Sequence, residues 1–144
     1  MSGTVKPEAM LYRRLKENLP RALITRLESR VGLGIPDCLV ALDKPESKFV
    51  MIELKVVKRG KKINLSPHQV AFHLKHNFDM HCPTFVLVQY HPPGTTSSKT
   101  AELRLYRGEK AGTLCMLGMD TPADWSCNLA AMQWHMLRQE LQFG

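Results

Sequence analysis

The spacing of apolar residues along the chain predicts eight helices and strands, in the order α-α-β-β-α-β-β-α. Residues 8–18 carry apolar side chains at the three- and four-residue intervals of an amphipathic helix. The side chains of that face are Met10, Leu11, Leu15 and Leu19. Pro20 ends this segment, and residues 21–29 (RALITRLES) are predicted as a second short helix that ends near Gly32.

Four later segments are rich in β-branched and aromatic residues, which is typical of strands. They are DCLVALD (37–43), KFVMIELKVV (48–57), TFVLVQY (84–90) and AELRLYR (101–107). The short KPES segment (44–47) predicts a hairpin between the first two strands, and HPPGTTSSKT (91–100) predicts an exposed loop between the last two.

A helix is predicted between the second and third strands, from Ser66 to about Phe78. Ser66 is placed as the N-cap, Pro67 as the first helical residue and Gln69 as the third helical residue, which completes a capping box. The residues expected to face inward are Val70, Ala71, Leu74 and Phe78. A short helical turn is predicted near 108–115 and a final helix over about 124–142.

These elements predict an α/β (α+β) fold in one domain spanning residues 1–144. We expect a mixed four-stranded sheet flanked by helices, with a catalytic core at about 20–110. No segment approaches the roughly 18 apolar residues that span a bilayer, and no apolar signal core precedes the domain, so we expect a cytoplasmic protein without membrane contact. The four cysteines form no CxxC pair and the histidines no HExxH, so no zinc site is expected.

Charge is distributed unevenly between the two halves of the chain. The formal net charge is +7, but residues 1–75 hold 15 Lys or Arg against 7 Asp or Glu, and the remainder is slightly acidic. A basic half of this kind suggests a polyanionic partner such as DNA, although solvated helix surface would account for part of the charge.

Two charged residues interrupt the apolar strand 48–57. Side chains alternate across a strand, so Val50, Ile52 and Leu54 share the face that belongs against the core. Glu53 and Lys55 therefore share the opposite face. A carboxylate and an ammonium group in the middle of an apolar strand indicate a site.

Pairing of the two strands of the hairpin brings a second carboxylate to this site. With Asp43 opposite Lys48, Asp37 falls opposite Leu54, and a shift of one residue places it opposite Glu53. In either register the two carboxylates are close, because directly opposed Cβ atoms lie roughly 4.5–5.5 Å apart. Such a pair favours a hard divalent cation such as Mg²⁺. The alternative is a surface hairpin in which these charged residues form ordinary cross-strand pairs.

The stretch from Glu28 to Tyr90 resembles the PD-(D/E)XK nuclease superfamily. Within that superfamily it is most similar to the small stand-alone VRR-NUC (virus-type replication-repair nuclease) proteins carried by phages. The motifs that carry the resemblance are Glu28-Ser29, Gly32-Leu33-Gly34-Ile35-Pro36-Asp37, Ile52-Glu53-Leu54-Lys55 and Leu65-Ser66-Pro67-His68-Gln69.

The resemblance implies a metal site and a catalytic lysine. Mg²⁺, with Mn²⁺ as a substitute, would be held by Asp37, Glu53 and the main-chain carbonyl of Leu54. Glu28 matches the extra acidic residue of the family, and Lys55 matches its lysine. Glu28 could instead be a solvated helix residue paired with a neighbouring arginine.

The helix predicted from Ser66 to about Phe78 supplies one more residue of the site that the resemblance implies. Gln69 matches the glutamine of the family, although it could serve only the capping box. His73 and His76 share its helix face and are expected to be solvated or partly packed. A basic run follows the catalytic strand, and we expect it to contact DNA phosphates. The expected DNA contacts are Lys58, Arg59, Lys61, Lys62 and Arg30.

The function expected from these features is a metal-dependent DNA endonuclease in phage replication, recombination or repair. The resemblance implies branched substrates such as Holliday junctions or flaps, and a homodimer. The apolar surplus of the C-terminal segment also favours a homodimer, whereas Trp125 and Trp134 are expected in the core or at such an interface. Two alternatives remain: a DNA-binding module without catalysis, and an exonuclease.

Overall fold

The computed structural model of the chain describes residues 6–27, 34–95, 97 and 99–144. These residues form four α-helices and six strands. The helices are α1 (Pro7–Asn18), α2 (Pro67–Leu74), α3 (Ala111–Leu117) and α4 (Trp134–Phe143). The strands are β1 (Ala22–Arg26), β2 (Cys38–Leu42), β3 (Lys48–Val57), β4 (Thr84–Tyr90), β5 (Glu102–Arg107) and β6 (Trp125–Asn128).

The six strands form one mixed sheet in which spatial order follows chain order, from β1 to β6. Every neighbouring pair is antiparallel except β3 and β4, which are parallel. The parallel pair requires a crossover, which α2 provides. The predicted fold class is confirmed, with six strands in the sheet where four were expected.

The prediction of a helix over residues 21–29 is wrong for the described part of that segment. Ala22–Arg26 forms β1, paired antiparallel with β2, and Ile24 is buried between exposed neighbours. A five-residue segment carries too little periodicity to separate helix from strand. The β-branched Ile24 and Thr25 suit a strand, and pairing with β2 decides the outcome.

The predicted C-terminal helix begins too early. Trp125–Asn128 forms the edge strand β6, a 3₁₀ turn follows at Leu129–Ala131, and α4 begins only at Trp134. Burial alternates along β6, with Trp125 and Cys127 half-buried, as expected of an edge strand. Backbone pairing with β5 supplies hydrogen bonds that the local pattern does not reveal.

Side chains from the two faces of the sheet form two apolar clusters. The first lies between the sheet and helices α1 and α4, and Trp125 and Trp134 pack against it, as predicted for core residues. Buried members from those two helices are Leu11, Leu15, Leu137 and Leu141. The second lies on the opposite face, where Val57 and Val86 meet residues of α2, α3 and the loop before α2.

The inward face of α2 differs from the prediction at its end. The chain continues beyond Leu74 as a π-helical turn over Lys75–Asp79. Phe78, expected inside, is exposed, whereas His73 is fully buried. A π turn uses more residues per turn than an α-helix, so the residue four positions after Leu74 no longer lies on its face. Met10 of α1, also expected to face inward, is exposed. Among the described residues, no helix is long and apolar enough to cross a membrane.

Candidate active site

The register between β2 and β3 aligns the two predicted carboxylates. Cys38 pairs with Ile52, so the next position outward places Asp37 level with Glu53. The register that would put Asp37 opposite Leu54 is wrong, and the alternative shifted by one residue is the one observed. Asp37 and Glu53 are therefore direct cross-strand neighbours at the end of the hairpin.

Asp37 is held in place by main-chain hydrogen bonds on both sides. The N–H of Leu54 donates to Asp37 Oδ2 at 2.8 Å, and the N–H of Leu27 donates to the main-chain oxygen of Asp37 at 2.8 Å. The N–H and C=O of one strand residue point to the same side of the strand. The Leu54 carbonyl therefore faces the edge where Asp37 lies, as the resemblance requires of a main-chain ligand.

Glu53 is the most strongly perturbed acid of the site. Its side chain is 2% exposed; Oε2 accepts a hydrogen bond from Gln69 Nε2 at 3.3 Å, and Oε1 has no hydrogen-bond partner among the described residues. Burial, together with a hydrogen bond to Asp37 and the negative charge of Asp37, raises the pKa of Glu53 to about 9. Lys55 offsets only part of this effect. Two carboxylates without a cation between them therefore retain a proton.

Lys55 lies beside Glu53 on the same face of β3 and is fixed by Gln69. Nζ of Lys55 is 3.2 Å from Gln69 Oε1 and 4.0 Å from Glu53 Oε2. Because Gln69 donates to Glu53 through its amide nitrogen and accepts from Lys55 through its oxygen, one side chain holds both charged groups. The carboxyl group of Glu53 and the ammonium group of Lys55 are thus tied to the start of α2.

Gln69 also completes the predicted capping box. Its Oε1 accepts from the N–H of Ser66 at 2.9 Å, and its own N–H donates to Ser66 Oγ at 3.1 Å. The cap is confirmed. The alternative in which Gln69 serves only the cap is wrong, because the same side chain contacts Lys55 and Glu53.

A glycine of the Gly-x-Gly-Ile-Pro-Asp motif sets the position of α2. Gly34 has a φ of +83°, and a Cβ atom at this position would lie 2.2 Å from the carbonyl oxygen of His68. Only a residue without a side chain fits there. The backbone before Asp37 thus packs directly on the first turn of α2, next to Gln69.

An acidic residue missed by the sequence analysis lies near this site. The charge of Glu8, in the first turn of α1, also raises the pKa of Glu53. Glu8 is half-buried, and α1 packs against β3. An acidic residue at the start of an amphipathic helix was the available signal, but such residues are common at helix N-termini for local reasons. Glu28 and Arg30 lie outside the described residues.

The basic run leaves the site at the end of β3 and is exposed throughout. The exposed cations are Lys58, Arg59, Lys61 and Lys62. Gly60 has a φ of +67° and turns the chain in the middle of the run, and a Cβ atom at this position would have no neighbour within 4 Å. Lys61 pairs with Asp120 at 3.0 Å, which raises the pKa of Lys61.

His73 is buried behind the site and remains neutral. Its Nδ1 lies 2.6 Å from Thr84 Oγ1, which also accepts from Asn77 Nδ2 at 2.7 Å. Burial, followed by the positive charges of His76 and Lys55, lowers the pKa of His73 to about 4. The expectation of a solvated or partly packed histidine is wrong at this position. The buried His73 side chain instead links α2 to Thr84 at the start of β4.

The donor set suits a magnesium-type ion. Within residues 6–27, 34–95, 97 and 99–144, no group of three or more His, Cys, Asp and Glu side chains converges to hold a metal. Asp37 and Glu53 supply two carboxylates, and the unpartnered Oε1 of Glu53 is a buried oxygen that needs a cation or a donor. Mg²⁺ is usually held by one or two carboxylates with water and substrate oxygens, so the residues fit that ion.

Comparison with known proteins finds similarity at the level of solved structures. The sequence matches no protein-family model and no curated protein. The fold is similar to a solved structure of Hjc from Archaeoglobus fulgidus, described as a Holliday junction resolvase from an archaeal hyperthermophile. The TM-score is 0.49 at 15% sequence identity, and the match covers 70% of this chain and 77% of that chain. The geometry of the site, rather than this similarity, is what supports a function.

Proposed function

We propose that this protein is a metal-dependent nuclease that hydrolyses phosphodiester bonds in DNA. One observation carries the proposal: Glu53 is buried beside Asp37, one of its carboxylate oxygens has no hydrogen-bond partner among the described residues, and Lys55 is held next to it by Gln69. Two carboxylates can hold a divalent ion, and an adjacent ammonium group can stabilise negative charge on a phosphate. They lie where β2 begins beside β3, and there Asp37 is half-buried and Glu53 is buried.

The two carboxylates are proposed to hold Mg²⁺ or Mn²⁺ together with the Leu54 carbonyl. Such an ion, when bound, neutralises charge on a phosphate oxygen and makes a bound water more acidic, which is worth several kcal/mol. The raised pKa of Glu53 supports this role. It shows that the ionised carboxylate is disfavoured without a cation, and a bound cation would stabilise that ionised form. Glu28 and Glu8 are candidates for a further acidic contact.

Lys55 is proposed to act on the phosphate and the attacking water. Its ammonium group is mostly buried, and Gln69 restricts it to one position. A fixed ammonium donates hydrogen bonds to an oxygen that gains negative charge in the transition state, and it needs no reorganisation to do so. The 3.2 Å contact with Gln69 also leaves two further N–H groups of Lys55 free to donate to substrate.

DNA is the substrate class that the surrounding charge favours. The exposed cations of the basic run begin directly after β3, so backbone phosphates bound there would place the duplex over Asp37 and Glu53. The carboxyl groups of the site are buried or half-buried, whereas the cations of the basic run are exposed. The protein can therefore attract DNA and still hold a cation at its centre.

Three finer features are proposed on the resemblance to VRR-NUC proteins alone: a phage role in replication, recombination or repair, branched DNA as substrate, and a homodimer. The apolar surplus near the C-terminus adds little support for a dimer. Leu129 and Met132 pack on the core, and Leu137 and Leu141 are buried within this chain. Met136, the remaining residue of this apolar surplus, is exposed. Sedimentation at micromolar concentration tests the dimer, and a monomer alone would reject it.

The main test uses linear, nicked, flapped and four-way DNA with Mg²⁺ or Mn²⁺. Wild-type protein is expected to cut at least one substrate, and Lys55→Ala is expected to lose cleavage while retaining DNA binding. A matched control is Lys99→Ala, a lysine in the loop after β4, which should cut normally. Full activity of Lys55→Ala would reject the proposed mechanism.

The same panel separates the two alternative functions. A DNA-binding module without catalysis would bind with a salt slope of about −0.9 per phosphate contacted and release no product. An exonuclease would shorten linear DNA from its ends and leave closed circles intact. The complete Gln69, Lys55 and Glu53 network favours catalysis, because binding alone does not require a buried glutamate beside a second carboxylate.

Metal binding is tested without any activity measurement. Mg²⁺ and Mn²⁺ are expected to raise the thermal midpoint of the wild-type protein, because a ligand that binds only the folded state stabilises it by mass action. Glu53→Gln is expected to abolish that rise. An equal rise in wild type and Glu53→Gln would reject Glu53 as a ligand.

A further inference from the structure

The C-terminal end of α3 exposes two large apolar side chains that the proposed chemistry does not use. Met116 is 83% exposed and Leu117 is 52% exposed. The exposed positions of α3 carry no charge: Thr113, Cys115, Met116 and Leu117. We call Met116 and Leu117 the apolar tip. Met116 is the most exposed large apolar side chain among the described residues.

The C-terminal end of α3, next to the apolar tip, lies against the segment that joins β3 to α2. The N–H of Met119 donates to the main-chain oxygen of Lys61 at 2.8 Å, and Cys115 Sγ contacts the main-chain oxygen of Leu65 at 3.8 Å. The helix end is therefore held against this segment at two points, one of which, Lys61, belongs to the basic run. The ion pair between Lys61 and Asp120 adds a third, exposed contact.

The backbone at Gly118 makes this close approach possible. Its φ is +56°, and a Cβ atom there would lie 2.1 Å from the Lys61 oxygen. A side chain would therefore separate the helix end from the basic run. The position of the apolar tip is built into the fold and is not an accident of a loose loop.

Three occupants are conceivable for such a tip, and the neighbouring charges distinguish them. A second copy of the chain would bring another set of lysines to the same place, and interface centres are depleted of charge. A bilayer needs a larger apolar face than two side chains. DNA has the complementary charge for Lys58, Arg59 and Lys62, and its bases offer apolar faces wherever they are not stacked.

We propose that the apolar tip contacts unpaired or unstacked nucleobases of a DNA substrate whose duplex is interrupted. Met and Leu side chains act as wedges at base steps in several modes of DNA binding. In this arrangement the lysines of the basic run hold the phosphates and the tip detects a break in the base stack. A continuous duplex hides its bases, so the tip gains nothing from it. The inference rests on the proposed function and specifies its substrate class.

The experiment measures binding to matched DNAs with Ca²⁺ replacing Mg²⁺, so that cleavage plays no part. Wild-type protein is expected to bind a flapped or bulged duplex more tightly than the continuous duplex of the same length. The double variant Met116→Gln with Leu117→Gln is expected to lose that preference by about fivefold or more, the lower end for a base contact. Both side chains are exposed, so the fold should tolerate the change, which circular dichroism can check.

A second readout separates the tip from the basic run. Loss of apolar contacts releases no counterions, so the salt slope of the double variant should equal that of wild type. Lys62→Ala should instead lower the slope by about 0.9 and weaken binding to both DNAs alike. The emission of 2-aminopurine at the discontinuity should change on binding of wild type but not of the double variant.

The matched control is a pair of apolar residues exposed elsewhere. Leu23 of β1 and Phe49 of β3 are 71% and 69% exposed, and both are far in sequence from the tip. Leu23→Gln with Phe49→Gln should leave the DNA preference unchanged. An unchanged preference in the tip variant, or an equal loss in this control, would overturn the inference.

Other outcomes also discriminate between the inferences. A wild-type protein that cuts DNA but binds continuous and interrupted duplexes equally would overturn the role of the tip and leave the proposed function intact. Loss of anionic-vesicle binding or of self-association in the tip variant, with an unchanged DNA preference, would assign the tip to a membrane or a second copy. A preference that disappears with the tip while no DNA is cut would retain the tip and reject the nuclease.

Discussion

Nζ of Lys55 lies 3.2 Å from Oε1 of Gln69, and the same oxygen accepts the hydrogen bond from Ser66 that caps α2. The Gln69 side chain, which caps the first turn of α2, is thus also the one that positions the proposed catalytic lysine. Stability of α2 and geometry of the site are coupled through a single amide group. Substitutions at Gln69 can separate these two roles.

Gln69→Glu is expected to retain the cap and lose activity. Glu at the third helical position completes a capping box and suits the helix N-terminus, but it cannot donate to Glu53. Cleavage should fall about tenfold or more, as expected for one lost hydrogen bond to a charged group. Gln69→Ala should lose activity and also about 1 kcal/mol of unfolding free energy. Denaturation in Mg²⁺ and initial cleavage rates measure both effects, with His68→Ala as the neighbouring control. Normal cleavage by Gln69→Glu would contradict the positioning role.

Without metal, the protein is expected to lose stability as the pH rises. The pKa of Glu53 is raised to about 9 in the folded state, from an ordinary value of 4.5. Between these values the folded state holds a proton that the unfolded chain has released, so the unfolding free energy falls with pH by up to about 1.4 kcal/mol per pH unit.

Urea denaturation in EDTA across this range measures the slope. Glu53→Gln cannot titrate, so its slope should be smaller than that of wild type by the contribution of Glu53. Added Mg²⁺ should also flatten the wild-type slope, because a bound cation favours the ionised carboxylate. Identical slopes for wild type and Glu53→Gln in EDTA would show that Glu53 does not carry the effect.

His73 is expected to produce the opposite dependence at acid pH. Its pKa is lowered to about 4 in the folded state, from 6.5, so the unfolded chain takes up a proton first. The unfolding free energy should therefore fall as the pH drops from 6.5 towards 4. His73→Gln should remove this component, whereas His81→Asn, at an exposed histidine with a φ of 54°, should retain it. A slope that survives in His73→Gln would assign it to other groups.

Gly34→Ala is expected to damage both stability and cleavage. The new Cβ would meet the His68 carbonyl at 2.2 Å, so the start of α2 and Gln69 must move. Gly94 has the same φ of +83°, but a Cβ atom there would have no neighbour within 4 Å. Gly94→Ala is therefore a control for backbone strain alone. The control should lose about 1–2 kcal/mol, and Gly34→Ala should lose more and also cut DNA more slowly. Equal losses, with normal cleavage in both variants, would contradict the close-packing explanation.

The sequence alone determined those features that depend on local chemistry or on alternation. The capping box of α2 was predictable because Ser66, Pro67 and Gln69 act within one helical turn. The strands β3, β4 and β5 were predictable from runs of apolar residues. The placement of Glu53 and Lys55 on one face of β3 follows from the two-residue period of a strand.

Only the tertiary structure decided features that depend on partners distant in the chain. β1 is a strand because β2 pairs with it, and β6 because β5 does. The register that aligns Asp37 with Glu53, the contact between Gln69 and Lys55, and the approach of Glu8 each join separate elements. A local pattern specifies which residue types are present, but distances and pKa values arise from packing and burial. The sequence therefore indicated a candidate set of groups, and the fold decided which of them meet.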